Sequence, residues 1–249
     1  MDEILKILDE FEPISLEEMK DVKLLNRIDL KYTFHVKHLP GILRELQPDY
    51  KVFLVDHVRA SRYETLYFDT ADFNLYRLHH NGKLNRYKVR YRSYKDSNLT
   101  FFEIKFKNNK NRTIKDRIRR DGIDEVINDD IRKFIIKKST INPDELMACL
   151  WVEYTRITLV SRHSQERLTI DMDLTYRGNG RIKSYPNLVI AELKQDKNSR
   201  SFFAHVMRKR HIHLGGISKY CFGIYNVYDN IKINNFKSKF LKVKKINSL

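Results

Sequence analysis

Four short stretches of the chain place ionic side chains on every second position. They read Arg27-Ile28-Asp29-Leu30-Lys31, Lys88-Val89-Arg90-Tyr91-Arg92, Glu103-Ile104-Lys105-Phe106-Lys107 and Glu192-Leu193-Lys194. In a half-buried strand, alternation puts apolar groups on one face and mixed polar groups on the other. Here the polar face is almost wholly ionic and mainly cationic. Like charges opposite one another across strands destabilise a sheet. A chain that repeats the pattern is expected to bring a polyanion between such faces, which points to phosphate chemistry.

The composition agrees. Lys and Arg number 48 against 32 Asp and Glu, a net charge of +16. That charge suits nucleic acid, polyphosphate, a nucleotide or an anionic membrane. Aromatic residues make up 12%, too many for a disordered basic protein. Cys149 and Cys221 stand far apart and form no CxxC pair, so neither a disulfide framework nor a cysteine zinc site is supported. No secretory leader or long apolar span is visible. A cytoplasmic protein, peripheral at most to a membrane, is the expectation.

The elements that must position these charges follow from periodicity. The sequence predicts strands near 27–34, 62–69, 86–94, 100–107, 113–119, 152–160, 167–174 and 188–194. Turns rich in Asn, Asp and Ser separate several of them, as in hairpins. Helices are predicted over 36–47, 123–138, 143–150, 199–212 and 218–228, with Asp72 capping a short one and Ser15 to Glu18 forming a capping box. The fold class is therefore α+β: an eight-stranded antiparallel tunnel barrel with a charged lumen and surrounding helices. Residues 1–228 read as a single domain and 229–249 as a basic C-terminal tail, expected as a solvated end.

Lys88, Arg90 and Arg92 oppose Lys105 and Lys107 in this reading, and Tyr87, Val89 and Tyr91 turn to the other face. If helices cover that outer face, the cations point inward, where unpaired charge is costly. Glu192 is the candidate metal ligand, beside Asp171 and Asp173 on the preceding strand. Glu103 and Asp171 serve either as further metal ligands or as salt-bridge partners. No Walker loop, GxGxxG or Ser-His-Asp arrangement is present. Phosphoryl transfer needs none of these, because positioning and charge stabilisation carry it. His211 and His213 read as surface residues, and His79-His80 as a weak phosphate contact.

The motifs Lys31-Tyr32, Tyr67-Phe68-Asp69, Lys88-Val89-Arg90, Phe102-Glu103-Ile104-Lys105, Tyr154-Thr155-Arg156, Arg167-Leu168-Thr169-Ile170-Asp171, Ala191-Glu192-Leu193-Lys194 and Ser218-Lys219-Tyr220 occur in this order. Over residues 24–228 the chain resembles the catalytic domain of the VTC (vacuolar transporter chaperone) polyphosphate polymerases, within the triphosphate tunnel metalloenzyme (CYTH-like) superfamily. The resemblance implies a phosphotransferase that moves the terminal phosphate of ATP onto polyphosphate with Mn²⁺ or Mg²⁺. Lys31, Lys88, Arg90, Lys105, Arg156, Arg167 and Lys219 would hold phosphates, and Glu192 the metal. Lys194 is added from its place on the same face as Glu192. Arg27, Arg92, Lys107 and Lys115 are looser candidates. Hydrolytic relatives begin with an ExExK strand, where this chain has Arg27 in the first acidic slot. That exchange favours polymerase over two-metal triphosphatase.

The resemblance also implies a stand-alone enzyme without a preceding regulatory domain, whose product would need a separate membrane protein for export. A triphosphatase of the same fold and a non-catalytic binder of polyphosphate or nucleic acid are the alternatives. Specific nucleic-acid binding is not expected, because that mode combines exposed cations with stacking aromatics. The basic end, Lys237 to Lys245, is the segment suited to RNA, an anionic membrane or product guidance.

Overall fold

The structure is a computed structural model that describes residues 1–20, 27–110, 112–197 and 199–248, without the side chains of Met19, Lys20 and Arg27. The strands are β1 (Pro13–Ile14), β2 (Arg27–His35), β3 (Tyr50–Phe53), β4 (Ala60–Thr70), β5 (Arg86–Tyr94) and β6 (Leu99–Lys107). They continue with β7 (Thr113–Arg120), β8 (Leu146–Ser161), β9 (Glu166–Gly178), β10 (Arg181–Tyr185) and β11 (Leu188–Asp196). The helices are α1 (Asp2–Asp9), α2 (Leu16–Lys20), α3 (Leu39–Leu46) and α4 (Asn74–His80). The later ones are α5 (Asp129–Lys138), α6 (Phe202–Lys209), α7 (Lys219–Val227) and α8 (Lys237–Asn247). Eight strands form the main path, in the order β2-β11-β9-β8-β4-β5-β6-β7, and every ladder along it is antiparallel.

Register decides which side chains share a face. Lys31 sits opposite Glu192, and Lys194 opposite Arg167. Arg156 faces Asp171. Further along, Arg90 faces Glu103, Lys88 faces Lys105, and Lys105 faces Lys115. The alternating charged residues therefore occupy one continuous inner face.

The other face is apolar and covered by helices. Val89, Tyr91, Phe102 and Ile104 are buried against Ile131 and Ile135 of α5. At the opposite part of the sheet, Ile157, Leu168, Ile170 and Leu193 pack with residues of α1, α3 and α6. A third core joins Leu150, Tyr176 and Leu188 to α7 and to Phe240 and Val243 of α8. Burying each large apolar side chain contributes about 1.5–3 kcal/mol. The cores therefore lie outside the sheet, and the ionic face is left inside.

The capping box forms as expected: the Ser15 N–H donates to Glu18 Oε2 at 2.8 Å and the Glu18 N–H to Ser15 Oγ at 3.3 Å. Elsewhere the structure corrects the sequence. The predicted helix at 143–150 is a single 3₁₀ turn, Pro143–Glu145, followed by β8. Asn142 does cap that turn, but from Leu146 onward the chain pairs with β4, beginning at Thr70. Likewise the predicted helix 123–138 is confined to α5, begun by the Asn128 side chain accepting from Ile131 N–H. The basic end is not a solvated tail, because α8 packs Phe240 onto Phe222 with ring centroids 5.1 Å apart.

The start of α4 is held by Asp69 rather than by Asp72. Buried Asp69 accepts from the backbone N–H groups of Thr70, Leu75 and Tyr76 at 2.7–2.9 Å and from the Tyr220 hydroxyl of α7. One carboxylate thus joins β4, α4 and α7. Asp69→Ala strands all these donors in the interior and is expected to lower unfolding stability by at least about 3 kcal/mol. Urea denaturation of the variant measures this directly.

Candidate functional site

Three carboxylates organise the inner face, and each is gripped by two cations. Glu103 Oε2 accepts from Arg90 Nη2 at 2.6 Å and Nε at 2.9 Å, while its Oε1 accepts from Lys115 Nζ at 3.3 Å. Asp171 accepts from Arg156 through both oxygens, at 2.5 and 2.8 Å, and also pairs with Lys219. Glu192 pairs with Lys31 across the ladder and with Lys194 two residues along its own strand. Paired-off acids of this kind hold cations in fixed places. They do not cancel them.

The surplus is visible in the proton equilibria. Burial pushes the Glu103 carboxyl up, but Arg90, Arg92 and Lys115 outweigh it and hold it well below the usual range. Asp171 behaves alike, with Arg156 and Lys219 overcoming its burial. Several lysines of this face show the reverse. The Arg90 charge, then burial, then Arg92, drive the Lys105 amine down to about 5. Burial lowers Lys31 to about 8 and Lys194 to about 7, and also lowers Lys88. A buried amine surrounded by positive charge gives up its proton.

Aromatic rings share this face. Arg156 lies 5.0 Å from the Tyr63 ring centroid, Lys219 4.6 Å from Tyr154 and Arg90 5.7 Å from Tyr67. Tyr63 and Tyr154 stack at 5.1 Å. Such ring faces stabilise cations without cancelling their charge. The sequence reading sent the aromatics to the outer face. That holds for Tyr91, which packs on Phe102, but not for Tyr63, Tyr67 and Tyr154. The alternation Tyr63-Glu64-Thr65-Leu66-Tyr67 was the available signal for that second, polar-aromatic wall.

α7 closes on the same face from its N-terminus. Ser218 caps the helix through Cys221 N–H, and its Oγ accepts from Lys88 Nζ at 3.2 Å. The approach of this segment to β2 needs glycine. The Gly215 N–H donates to the Lys31 carbonyl at 2.8 Å, and a Cβ on Gly216 would stand 2.4 Å from that of Lys31. Ser218 was legible only as part of a motif.

The structure thus gathers Lys31, Lys88, Arg90, Lys105, Lys115, Arg156, Lys194 and Lys219 about three acids. Arg167 joins them opposite Lys194, and Lys107 lies opposite Arg86. Arg92 is set 5.7 Å from the Tyr63 ring, its buried Nε without a hydrogen-bond partner among the described residues. The Arg27 side chain lies outside the described residues. Asp173 is not beside Glu192: it is exposed, at a positive φ of 53°. His211 and His213 are exposed, as expected.

A divalent cation finds one suitable protein donor here. Among the described residues there is no group of three or more His, Cys, Asp or Glu side chains that could hold a metal. Glu103 and Asp171 are locked, with side chains 1% and 3% exposed, whereas Glu192 is 25% exposed. Mg²⁺ binds in this manner through one or two carboxylates, its other ligands being water and substrate phosphate. The donor set does not make a metal site by itself; its one partly open carboxylate, Glu192, is compatible with a metal whose other ligands are phosphate and water.

Comparison with known proteins adds the following. The family profile described as the VTC domain matches residues 26–228. No curated protein sequence matches. Among solved structures, the putative adenylyl cyclase HpAC1 from Hippeastrum, described as having a dominant triphosphatase activity, is similar with a TM-score of 0.53 and 14% identity. That likeness covers 82% of this chain and 98% of the other. A putative adenylate cyclase from Vibrio parahaemolyticus gives a TM-score of 0.46 at 12% identity, covering 79% and 96% of the two chains.

Arg90 and Glu103 are buried together, with side chains 6% and 1% exposed. Arg90→Ala leaves Glu103 inside with only Lys115, and is expected to cost about 3–5 kcal/mol of folding stability. The double variant Arg90→Met, Glu103→Met should recover much of that loss. Thermal denaturation of the three proteins distinguishes the arrangement from a solvated pair, for which all changes would be small.

Proposed function

This chain belongs to the VTC domain family, and on that premise we propose that it is a metal-dependent polyphosphate polymerase using ATP. The observation that carries the reading is the inner face itself: three clamped carboxylates hold cations around a further group, Lys88, Arg92 and Lys105, that has no acid of its own. A polyphosphate chain supplies the missing negative charge at regular spacing. Membership of the family supports a polyphosphate-related or triphosphatase function, and the fold class is that of triphosphate tunnel proteins.

In the proposed reaction, a terminal oxygen of the polyphosphate chain attacks the γ-phosphorus of ATP. The bond from that phosphorus to the β–γ bridging oxygen breaks, and ADP leaves with its electron pair. Lys31, Lys88, Lys105, Arg156, Arg167, Lys194 and Lys219 hold donor and acceptor phosphates in line and offset the charge that builds on them. Arg90 acts one layer behind, because its guanidinium is already committed to Glu103 and to the Tyr67 hydroxyl at 3.1 Å. Arg92, Lys107 and Lys115 extend the positive surface beyond this group, and Arg27 adds a cation at the start of β2. Bound Mn²⁺ or Mg²⁺ would neutralise phosphate oxygens beside Glu192. Triphosphate hydrolysis differs only in the acceptor, water instead of polyphosphate. Arg27, where hydrolytic relatives carry an acid, favours the polymer.

Among the described residues no helix is long and apolar enough to cross a membrane.

Purified protein given ATP and Mn²⁺ is expected to yield ADP and a polyphosphate ladder on a gel, both lost in Glu192→Gln. Free phosphate without a ladder would move the assignment to triphosphatase. A second measurement tests the site without turnover. Lys105 is neutral at pH 7 in the free protein, and a bound polyanion raises its pKa, so binding draws in a proton. Affinity for tripolyphosphate should therefore rise as pH falls toward 5. Calorimetry at pH 7 in buffers of different ionisation enthalpy should register proton uptake on binding, reduced in Lys105→Met to the smaller part that Lys194 and Lys31 supply.

A further inference from the structure

We propose that the face built from α8, the 212–215 loop and α6 docks on the surface of an anionic lipid bilayer. This goes beyond the tunnel reaction and does not depend on it.

The C-terminal segment is strongly basic, although Lys219 belongs to the inner face and Lys209 and Arg210 pair with Glu45 of α3. From Lys197 to the last residue there are twelve Lys and Arg and a single acid, Asp229. Asp229 is not part of the face, because it is paired with Arg181 of β10. On α8, Phe240 and Val243 turn into the core, which leaves Lys237, Lys239, Lys242, Lys244 and Lys245 exposed around Leu241. Leu241 is 55% exposed among these lysines. Leu214, on the neighbouring loop, is 58% exposed. The two segments are adjacent: a Cβ on Gly215 would lie 3.7 Å from Lys242 Nζ. Beyond Leu214 the surface opens into a groove of about 1170 Å³ between α6 and the outer side of β2. Leu30, Phe202 and Ile212 give it an apolar lining, Arg200 and Arg208 rim it, and among the described residues no carboxylate lines it.

A basic helix that keeps an aliphatic side chain exposed among its lysines has the chemistry of an interfacial helix. The lysines gain from an anionic headgroup layer, and the leucine gains by leaving water for the acyl boundary. A nucleic acid would use exposed aromatic platforms instead. On α8 the aromatic ring, Phe240, is buried, and the exposed apolar groups at this face are led by two leucines.

Sedimentation with phosphatidylcholine vesicles, with and without phosphatidylglycerol, tests the proposal. Binding is expected only to the anionic vesicles and should weaken with salt. Lys242→Ala and Lys245→Ala should each reduce the partition coefficient about fivefold. Leu241→Ser, which changes no charge, should reduce it roughly tenfold. Lys133→Ala with Lys137→Ala, on exposed α5 positions against β6, is the control and should leave binding unchanged. A control loss equal to that of the α8 variants would mean undirected attraction of a basic protein and would overturn the proposal. So would an unaffected Leu241→Ser, or α8 variants that lose RNA binding but keep the vesicles. Unchanged melting temperatures and tripolyphosphate affinity confirm that each variant is folded.

Discussion

The structure turns on the crowding of like charge along one inner sheet face. Two unit charges 4 Å apart interact by about 4 kcal/mol at the effective dielectric of a protein surface. Eight or more cations cannot share such a face unless something separates or relieves them. Each of Glu103, Asp171 and Glu192 sits between two of them and turns repulsion into a chain of alternating contacts. The tyrosine rings take up the flanks of Arg156, Lys219 and Arg90. Where neither device reaches, the amine loses its proton, as at Lys105. The free protein thus keeps an excess of positive charge on this inner face.

That constraint explains why the folding cores lie on the outside. A barrel with a packed interior would stabilise itself from within. Here the interior is ionic, so α1, α3 and α6 on one flank, α5 on another and α7 with α8 at a third must supply the apolar burial. Asp69 ties two of these flanks together through α4 and Tyr220. The contact of Gly215 and Gly216 with β2 serves the same end, pressing the segment before α7 against Lys31.

Most of the sheet was legible because its period is unusual: ionic alternation over Arg86 to Tyr94 and over Leu99 to Lys107 has no helical reading. The inner face, its eight main-path strands and its principal cations follow from that pattern. What failed was local. The start of β8 is a short apolar run, Leu146 to Leu150, which periodicity cannot tell from a helix, and Asn142-Pro143 tipped the choice wrongly. β10 and β3 are short strands added at the margins and carry little pattern of their own. Asp72 stood at the right spacing for a cap, but Asp69, three residues earlier and buried, reaches the helix amides through the fold rather than the local chain. The pairing of acids with cations was partly open: the sequence could place Glu103 and Asp171 on the face, but only register shows which guanidinium each one meets.

Among the three acids, exposure decides which can change partners. Glu103 and Asp171 are themselves nearly buried and each is held by a buried or half-buried arginine, Arg90 or Arg156, and by a lysine, so removing the guanidinium leaves a buried carboxylate short of its main partner. Glu192 has only two flexible lysines, Lys31 and Lys194, and is partly open to solvent. On the proposed reading, a triphosphate entering this region would offer those lysines better acceptors than a single carboxylate, and Glu192 would be left beside it as an oxygen ligand for a divalent cation carried by the phosphates. The same two lysines that cover the carboxylate in the free protein would thereby couple metal binding to substrate binding, without the cluster of acids that a permanent metal site requires.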